Sequence, residues 1–150
     1  MQQSADTIKI VLLDDDIDEQ IFFEDALIGL SIPYEFQYFE NSQNLLDYLN
    51  SELVQLPDIL FLDLNMPKLN GFETLKILRE TEKLKNLPVA VYSNSFREKD
   101  LLDSLGLGAN AYILKPGSHT ELKCVLTKVI QHQWQFHSGL TRETFIITAS

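Results

Sequence analysis

Apolar residues recur along this chain in two rhythms: short branched-aliphatic runs, and longer stretches with a helical period. Ile8 to Leu13 is rich in branched side chains and reads as a strand. It runs straight into Asp14, Asp15 and Asp16. Between Ile17 and Leu30, Phe23, Ala26, Leu27 and Leu30 fall at i, i+3, i+4 and i+7, which is one face of a helix. Asp16 and Glu19 have capping-box spacing at its start, and Gly29 with Pro33 marks its exit. Tyr34 to Phe39 alternates aromatic and polar residues, as a half-exposed edge strand does. Asn41-Ser42 caps a second helix, Gln43 to about Leu53, which Pro57 stops.

Ile59 to Leu62 is uninterrupted apolar sequence, the pattern of a strand buried on both faces, and it ends at Asp63. Asn65 and Pro67 force a turn, Gly71 follows, and the spacing predicts a helix over Phe72 to Thr81. Pro88 opens a fourth strand, Val89 to Tyr92, which finishes at Ser93-Asn94-Ser95. Ser95 and Glu98 have capping-box spacing for a helix from Phe96 to Leu105, closed by Gly106 and Gly108. Ala111 to Leu114 is the fifth strand and ends at Lys115-Pro116. Ser118 and Glu121 give a third capping-box pair, before a helix with Leu122, Val125, Leu126, Val129 and Ile130 on one face. Five strands alternate with five helices, without repeat or linker. That alternation predicts an α/β, doubly wound parallel sheet with helices on both faces.

Length and composition narrow the reading. The chain has 150 residues, enough for one domain with a core that needs no disulfide. Its single cysteine, Cys124, fits a reducing compartment. No secretory signal opens the sequence and no apolar run reaches the roughly 20 residues of a membrane span, so a cytoplasmic protein with no membrane partner is expected. The net charge of -10 argues against direct contact with nucleic acid and allows cations or basic partners.

The candidate chemistry lies at the strand ends. In a parallel sheet, Asp14, Asp15, Asp63, Ser93 and Lys115 come to one edge, where open α/β sheets bind ligands. Singly, each has a plain alternative as a cap, a turn former or a solvated charge. Together they make three carboxylates, a hydroxyl and an ammonium, and such acids repel unless a cation is present. An all-oxygen set suits a hard ion such as Mg2+.

These motifs, in this order, resemble the receiver domain of a two-component response regulator, the CheY-like family. The residues that carry the resemblance are Leu-Asp-Asp after strand one, Asp-Leu-Asn-Met-Pro beginning at Asp63, Gly71, Ser93, Tyr112 and Lys115-Pro116. The resemblance covers residues 8–132, read as a receiver domain, with 133–150 as a short extension too small for an output domain. It implies a flavodoxin-like five-stranded sheet of order 2-1-3-4-5. It implies Asp63 as phosphoacceptor, with Mg2+ held by Asp15 directly, Asp14 through water, Asp63, and the backbone carbonyl of Asn65. It further implies that Lys115 and Ser93 bind the phosphoryl group, that Tyr112 is the switch aromatic, and that Lys115–Pro116 is a cis bond. Asn65 and Ser95 occupy positions that tune phosphoryl lifetime. Asn94, Gly117 and Ile17 depart from the family pattern without removing a chemical group.

The implied function is a stand-alone phosphorylation switch. It would take a phosphoryl group from a sensor histidine kinase or histidine phosphotransfer protein and signal to a downstream protein target. It would be no enzyme beyond its own phosphorylation and dephosphorylation. Alternatives are a relay intermediate that passes the group on, a partner-binding module that works without phosphorylation, and a phosphatase with an aspartate nucleophile. The last wants a second acid two residues after Asp63, where this chain has Asn65. Three histidines, His119, His132 and His137, show no metal spacing. Phe145 to Thr148 is apolar and β-prone; pairing with a sheet edge of its own chain, pairing with a second copy as a homodimer, and disorder are all open.

Overall fold

The computed structural model describes residues 7–66, 69–131 and 145–149. In chain order the elements are β1 (Ile8–Leu13), α1 (Ile17–Ile28), β2 (Tyr34–Phe39), α2 (Ser42–Asn50), β3 (Ile59–Leu62), α3 (Gly71–Glu80), β4 (Val89–Ser93), α4 (Glu98–Gly106), β5 (Ala111–Leu114), α5 (His119–Gln131) and β6 (Ile146–Ile147). The sheet is parallel throughout, in the order β2-β1-β3-β4-β5-β6. The expected order 2-1-3-4-5 is therefore present, with one short strand added beyond β5.

Strand alternation divides the core into two layers. Val11, Leu13, Leu60, Leu62, Val89, Val91 and Tyr112 face the layer that α2 and α3 cover with Leu45, Leu49, Leu75 and Leu78. Their neighbours Ile10, Leu12, Ile59, Phe61, Ala90, Tyr92 and Ile113 face α1 and α5, which supply Phe23, Leu27, Leu122, Val125 and Leu126. The central strands are buried on both faces, so they read as continuous apolar runs. β2, at the margin, alternates between half-buried and exposed positions. On the first layer, buried Ser42 and Thr74 link α2 to α3 at 2.7 Å between hydroxyls.

Helix ends show where local signals held and where they lost. Asn41 caps α2 by accepting from the Asn44 N–H, and α2 stops at Asn50 rather than near Leu53. Asn70 and Glu73 form a reciprocal capping box on α3. The box expected from Ser95 and Glu98 does not form: α4 begins at Glu98 after Arg97, which makes no side-chain cap. The Ser95 hydroxyl donates instead to the buried carboxylate of Asp100, which also accepts from Arg97. Held in this orientation, the Ser95 oxygen accepts the Arg97 N–H at 3.4 Å in place of that of Glu98. Ser118 caps α5 by accepting from the Glu121 N–H at 3.2 Å. Among the described residues no helix is long and apolar enough to cross a membrane. His132, Trp134, His137 and Pro67 lie outside the described residues.

Candidate functional site

The backbone delivers the acids to one place. β1 and β3 are neighbours in register Leu13↔Leu62, so the residues that follow each strand, Asp14 and Asp63, emerge side by side. The Asp63 N–H donates to the Leu13 carbonyl at 3.0 Å, and the Asp14 N–H to that of Phe39 at 3.1 Å. Carboxylate oxygens of Asp14, Asp15 and Asp63 all lie within 4.8 Å of one another. Asp14 and Asp63 are buried and Asp15 is exposed, so the cluster opens to solvent on one side.

Gly71 fixes the turn that follows Asp63. Its N–H donates to the Leu64 carbonyl at 3.1 Å. A Cβ at this position would sit 2.3 Å from the Asp63 carbonyl oxygen and 2.6 Å from the Leu64 Cα. Only glycine allows the start of α3 to pack this closely on the end of β3. The glycine noticed in the sequence is thus a packing requirement of the site.

Lys115, just past β5, reaches across to Asp14: its Nζ donates to Asp14 Oδ2 at 2.8 Å, with the lysine side chain 7% and the aspartate 0% exposed. Glu19 Oε2 stands 3.9 Å from the same ammonium, and the Tyr92 ring lies 5.5 Å from it. Burial alone would depress the Lys115 pKa. The hydrogen bond that Lys115 donates to Asp14 and the charges of Asp63, Asp14 and Glu19 outweigh that and raise it. Glu19, expected only as a capping-box partner of Asp16, is a member of the site; Asp16 caps α1 alone, by accepting from the Asp18 N–H. The acid in the first turn of α1, directly after the Asp14–Asp16 run, is the sequence feature that could have placed Glu19 in the site.

Asp63 has the opposite balance. Desolvation raises its pKa from 3.8 to about 6; Lys115 and the Asn65 N–H oppose this, while Asp14 and Asp15 add to it. The Asn65 N–H donates to Asp63 Oδ1 at 3.3 Å. One lysine does not neutralise three converging acids, and this donor set fits a hard divalent cation.

Ser93, fully buried at the end of β4, accepts the Ser95 N–H on its hydroxyl at 3.0 Å. Tyr112 is fully buried, and its hydroxyl donates to the Ser95 carbonyl at 2.6 Å. Tyr112 therefore connects to the strand-end cluster through the Ser93–Ser95 turn. The expected cis bond at Lys115–Pro116 is corrected: no peptide bond among the described residues is cis. Trans is the lower-energy form by roughly 0.5–1 kcal/mol, and Lys115 meets Asp14 from a trans backbone.

Comparison with known proteins agrees with this geometry. The family model of the response regulator receiver domain matches residues 10–127. The probable methanogenesis regulatory protein FilR2 of Methanothrix harundinacea is 26% identical over 133 residues, covering 87% of this chain and 86% of FilR2. Several other curated relatives are matched over less than two thirds of their own length. Among solved structures, the phosphorylated cyanobacterial phytochrome response regulator RcpA superposes with a TM-score of 0.74 at 30% identity, over 82% of this chain and 91% of RcpA. The Mn(2+)-bound form of response regulator Rcp1 gives 0.71 at 25% identity, over 89% of this chain and 99% of Rcp1.

Proposed function

The chain belongs to the response regulator receiver family of two-component signalling, and from that membership we propose that Asp63 accepts a phosphoryl group from a phosphohistidine of a partner kinase or phosphotransfer protein. The observation that carries this reading is the convergence of Asp14, Asp15 and Asp63 at adjoining strand ends, with Lys115 held beside them. Residues 8–132 are read as the receiver domain.

A divalent cation fits between the acids. Asp14, Asp15, Asp63 and the backbone carbonyl of Asn65 would hold Mg2+, which supplies positive charge against the incoming phosphoryl oxygens. The manganese in the related Rcp1 structure supports that assignment. The remaining chemistry belongs to the chain. A carboxylate oxygen of Asp63 attacks phosphorus, the P–N bond of the phosphohistidine breaks, and the imidazole leaves with the bonding pair. The product is an acyl phosphate on Asp63, which water hydrolyses to restore the carboxylate.

Lys115 is already charged and within reach of its acids, and it transfers its hydrogen bond from Asp14 to a phosphoryl oxygen. The Ser93 hydroxyl, one strand over, donates to another. The displaced Ser93–Ser95 turn carries Tyr112 with it through the Ser95 carbonyl, so the surface of α4, β5 and α5 reports the charge added at Asp63. Asn65 and Ser95 flank the phosphoryl group and set the approach of hydrolytic water; Ser95 is held for this by Asp100.

The test is incubation with acetyl phosphate and Mg2+, read by intact mass, beside Asp63→Asn. A gain of one phosphoryl group that requires Mg2+ and is absent from the variant is expected. No gain, or an equal gain in Asp63→Asn, would refute the assignment.

A further inference from the structure

The sixth strand is the part of the molecule that phosphoryl chemistry at Asp63 leaves unexplained. β6 pairs in parallel with β5, in register Tyr112↔Ile146 and Ile113↔Ile147. The Lys115 N–H donates to the Ser93 carbonyl, so the period-two alternation of a parallel ladder turns the backbone of Ile113 toward β4 and that of Tyr112 and Leu114 outward to β6. Side chains of the segment enter both layers of the core. Phe145, 1% exposed, and Ile146 join the layer of Tyr112 and Leu101, while Ile147 and Ala149 join that of α5. From α5, Lys128 Nζ donates to the Thr148 carbonyl at 2.7 Å and the Cys124 thiol to that of Ala149 at 3.1 Å.

This hold is specific but short. The ladder is two residues long, where ordinary strands run to about five or six. A cleft of about 370 Å³ remains between the segment and the start of α5, walled by Leu114, Pro116, Val125 and Ile147. Leu114, the last residue of β5, is 40% exposed. The edge of β5 therefore offers more pairing than its resident strand uses.

We propose that residues 145–149 are a resident plug on a strand-accepting edge, and that an extended apolar segment of a partner protein adds to β5 in parallel when the plug leaves. The partner segment has the plug's chemistry: an aromatic residue against Tyr112, then branched aliphatics toward α4 and α5, and one or two further residues along Leu114. Adding a strand to an exposed edge lets main-chain hydrogen bonds supply affinity and alternate side chains supply specificity. The plug also adjoins the acid site. Phe145 packs edge-on to Tyr112 at 6.1 Å between ring centroids, Tyr112 bonds the Ser93–Ser95 turn, and Lys115 forms part of the cleft wall. Release of the plug by modification of Asp63 rests on the function proposed above; the plug itself does not.

The test uses the full chain, its variants Phe145→Ala and Ile147→Lys, and a labelled synthetic peptide of residues 143–150. Hydrogen exchange of the β1 and β3 amides, unchanged in both variants, establishes that they fold. Wild type should protect the Tyr112 and Leu114 amides, and both variants should lose that protection by about tenfold while Ile113 keeps its own. Both variants should bind the peptide about tenfold more tightly than wild type, because the internal competitor is gone. Unprotected Tyr112 in wild type, or no gain in peptide binding in the variants, would overturn the plug. Protection of Tyr112 that grows with protein concentration would overturn it in favour of pairing between copies. Mg2+ with beryllofluoride should bring wild type to the variants' level of peptide binding. No change in a protein that takes a phosphoryl group at Asp63 overturns the coupling, whereas a protein that takes none overturns the phosphoacceptor and leaves the peptide result to judge the plug.

Discussion

Replacing Asp63 by Asn should stabilise the protein when no divalent cation is present. Asp63 is 5% exposed, and burial among other acids raises its carboxyl pKa from 3.8 to about 6 despite Lys115. At about 1.4 kcal/mol per pH unit, holding this charge at neutral pH costs the folded state on the order of 3 kcal/mol. The sign follows from proton counting. Between about pH 4 and pH 6 the folded state binds more protons at this site than the unfolded chain, so stability falls as pH rises through that window and is level above it. Asn keeps the shape of Asp and carries no charge. Urea unfolding at about pH 7.5 should therefore show Asp63→Asn more stable than wild type by roughly 1–3 kcal/mol. The gap should close toward about pH 4, where both states protonate the carboxyl. Adding Mg2+ should stabilise wild type more than the variant, by mass action on the folded state. A variant less stable than wild type at neutral pH, or a gap that widens in acid, would refute the argument.

The same raised pKa predicts that without divalent cations the Asp63 carboxyl titrates near about pH 6, and that Mg2+ moves the midpoint down, as followed by its carboxyl 13C chemical shift. A midpoint at the ordinary aspartate value without Mg2+, or one that Mg2+ raises, would count against it. Gly71→Ala places a Cβ 2.3 Å from a backbone oxygen, so a loss of about 3 kcal/mol is expected in denaturant unfolding, and a loss within the error of wild type would show that the turn yields freely. Lys115→Met leaves Asp14 buried without its cation and should cost about 3 kcal/mol without divalent ions. Calorimetric titration should show this variant binding Mg2+ more tightly than wild type, and weaker binding would refute the role of Lys115 as the competing charge.

The sequence made the sheet legible because β1, β3 and β4 are buried on both faces and carry unbroken apolar runs, and because their terminal residues are chemically conspicuous. Asp14, Asp15, Asp63, Ser93 and Lys115 could be placed on one edge from alternation alone. Glu19 was harder to see as a site residue: the capping spacing to Asp16 is real in sequence, and only the long reach of Lys115 from β5 gives its carboxylate another partner. The start of α4 was displaced for a similar reason. Ser95 has a capping partner three residues on, but its hydroxyl is oriented by donation to the buried Asp100, and that burial is a tertiary fact. Asn70 was not legible as the cap of α3 because an asparagine before a glycine reads equally well as part of the turn. β6 lay open between three outcomes, since two apolar residues cannot say which edge they will meet.

With β6 in place, the two margins of the sheet are unlike. The β5 margin is occupied by the chain itself, and β2 is the outermost strand at the other side. That margin exposes Glu35 and Gln37 between its half-buried aromatics. A carboxylate on an outer strand discourages a neighbour from stacking against it, a common safeguard against runaway sheet growth. The molecule is thus protected from polymerising at its two rims by different means: on one side electrostatic, independent of any signal, and on the other steric and removable. A chain that sheds residues 145–149 carries a free strand and a free edge at once, so exchange between copies ends at a pair only when each copy takes the other's segment.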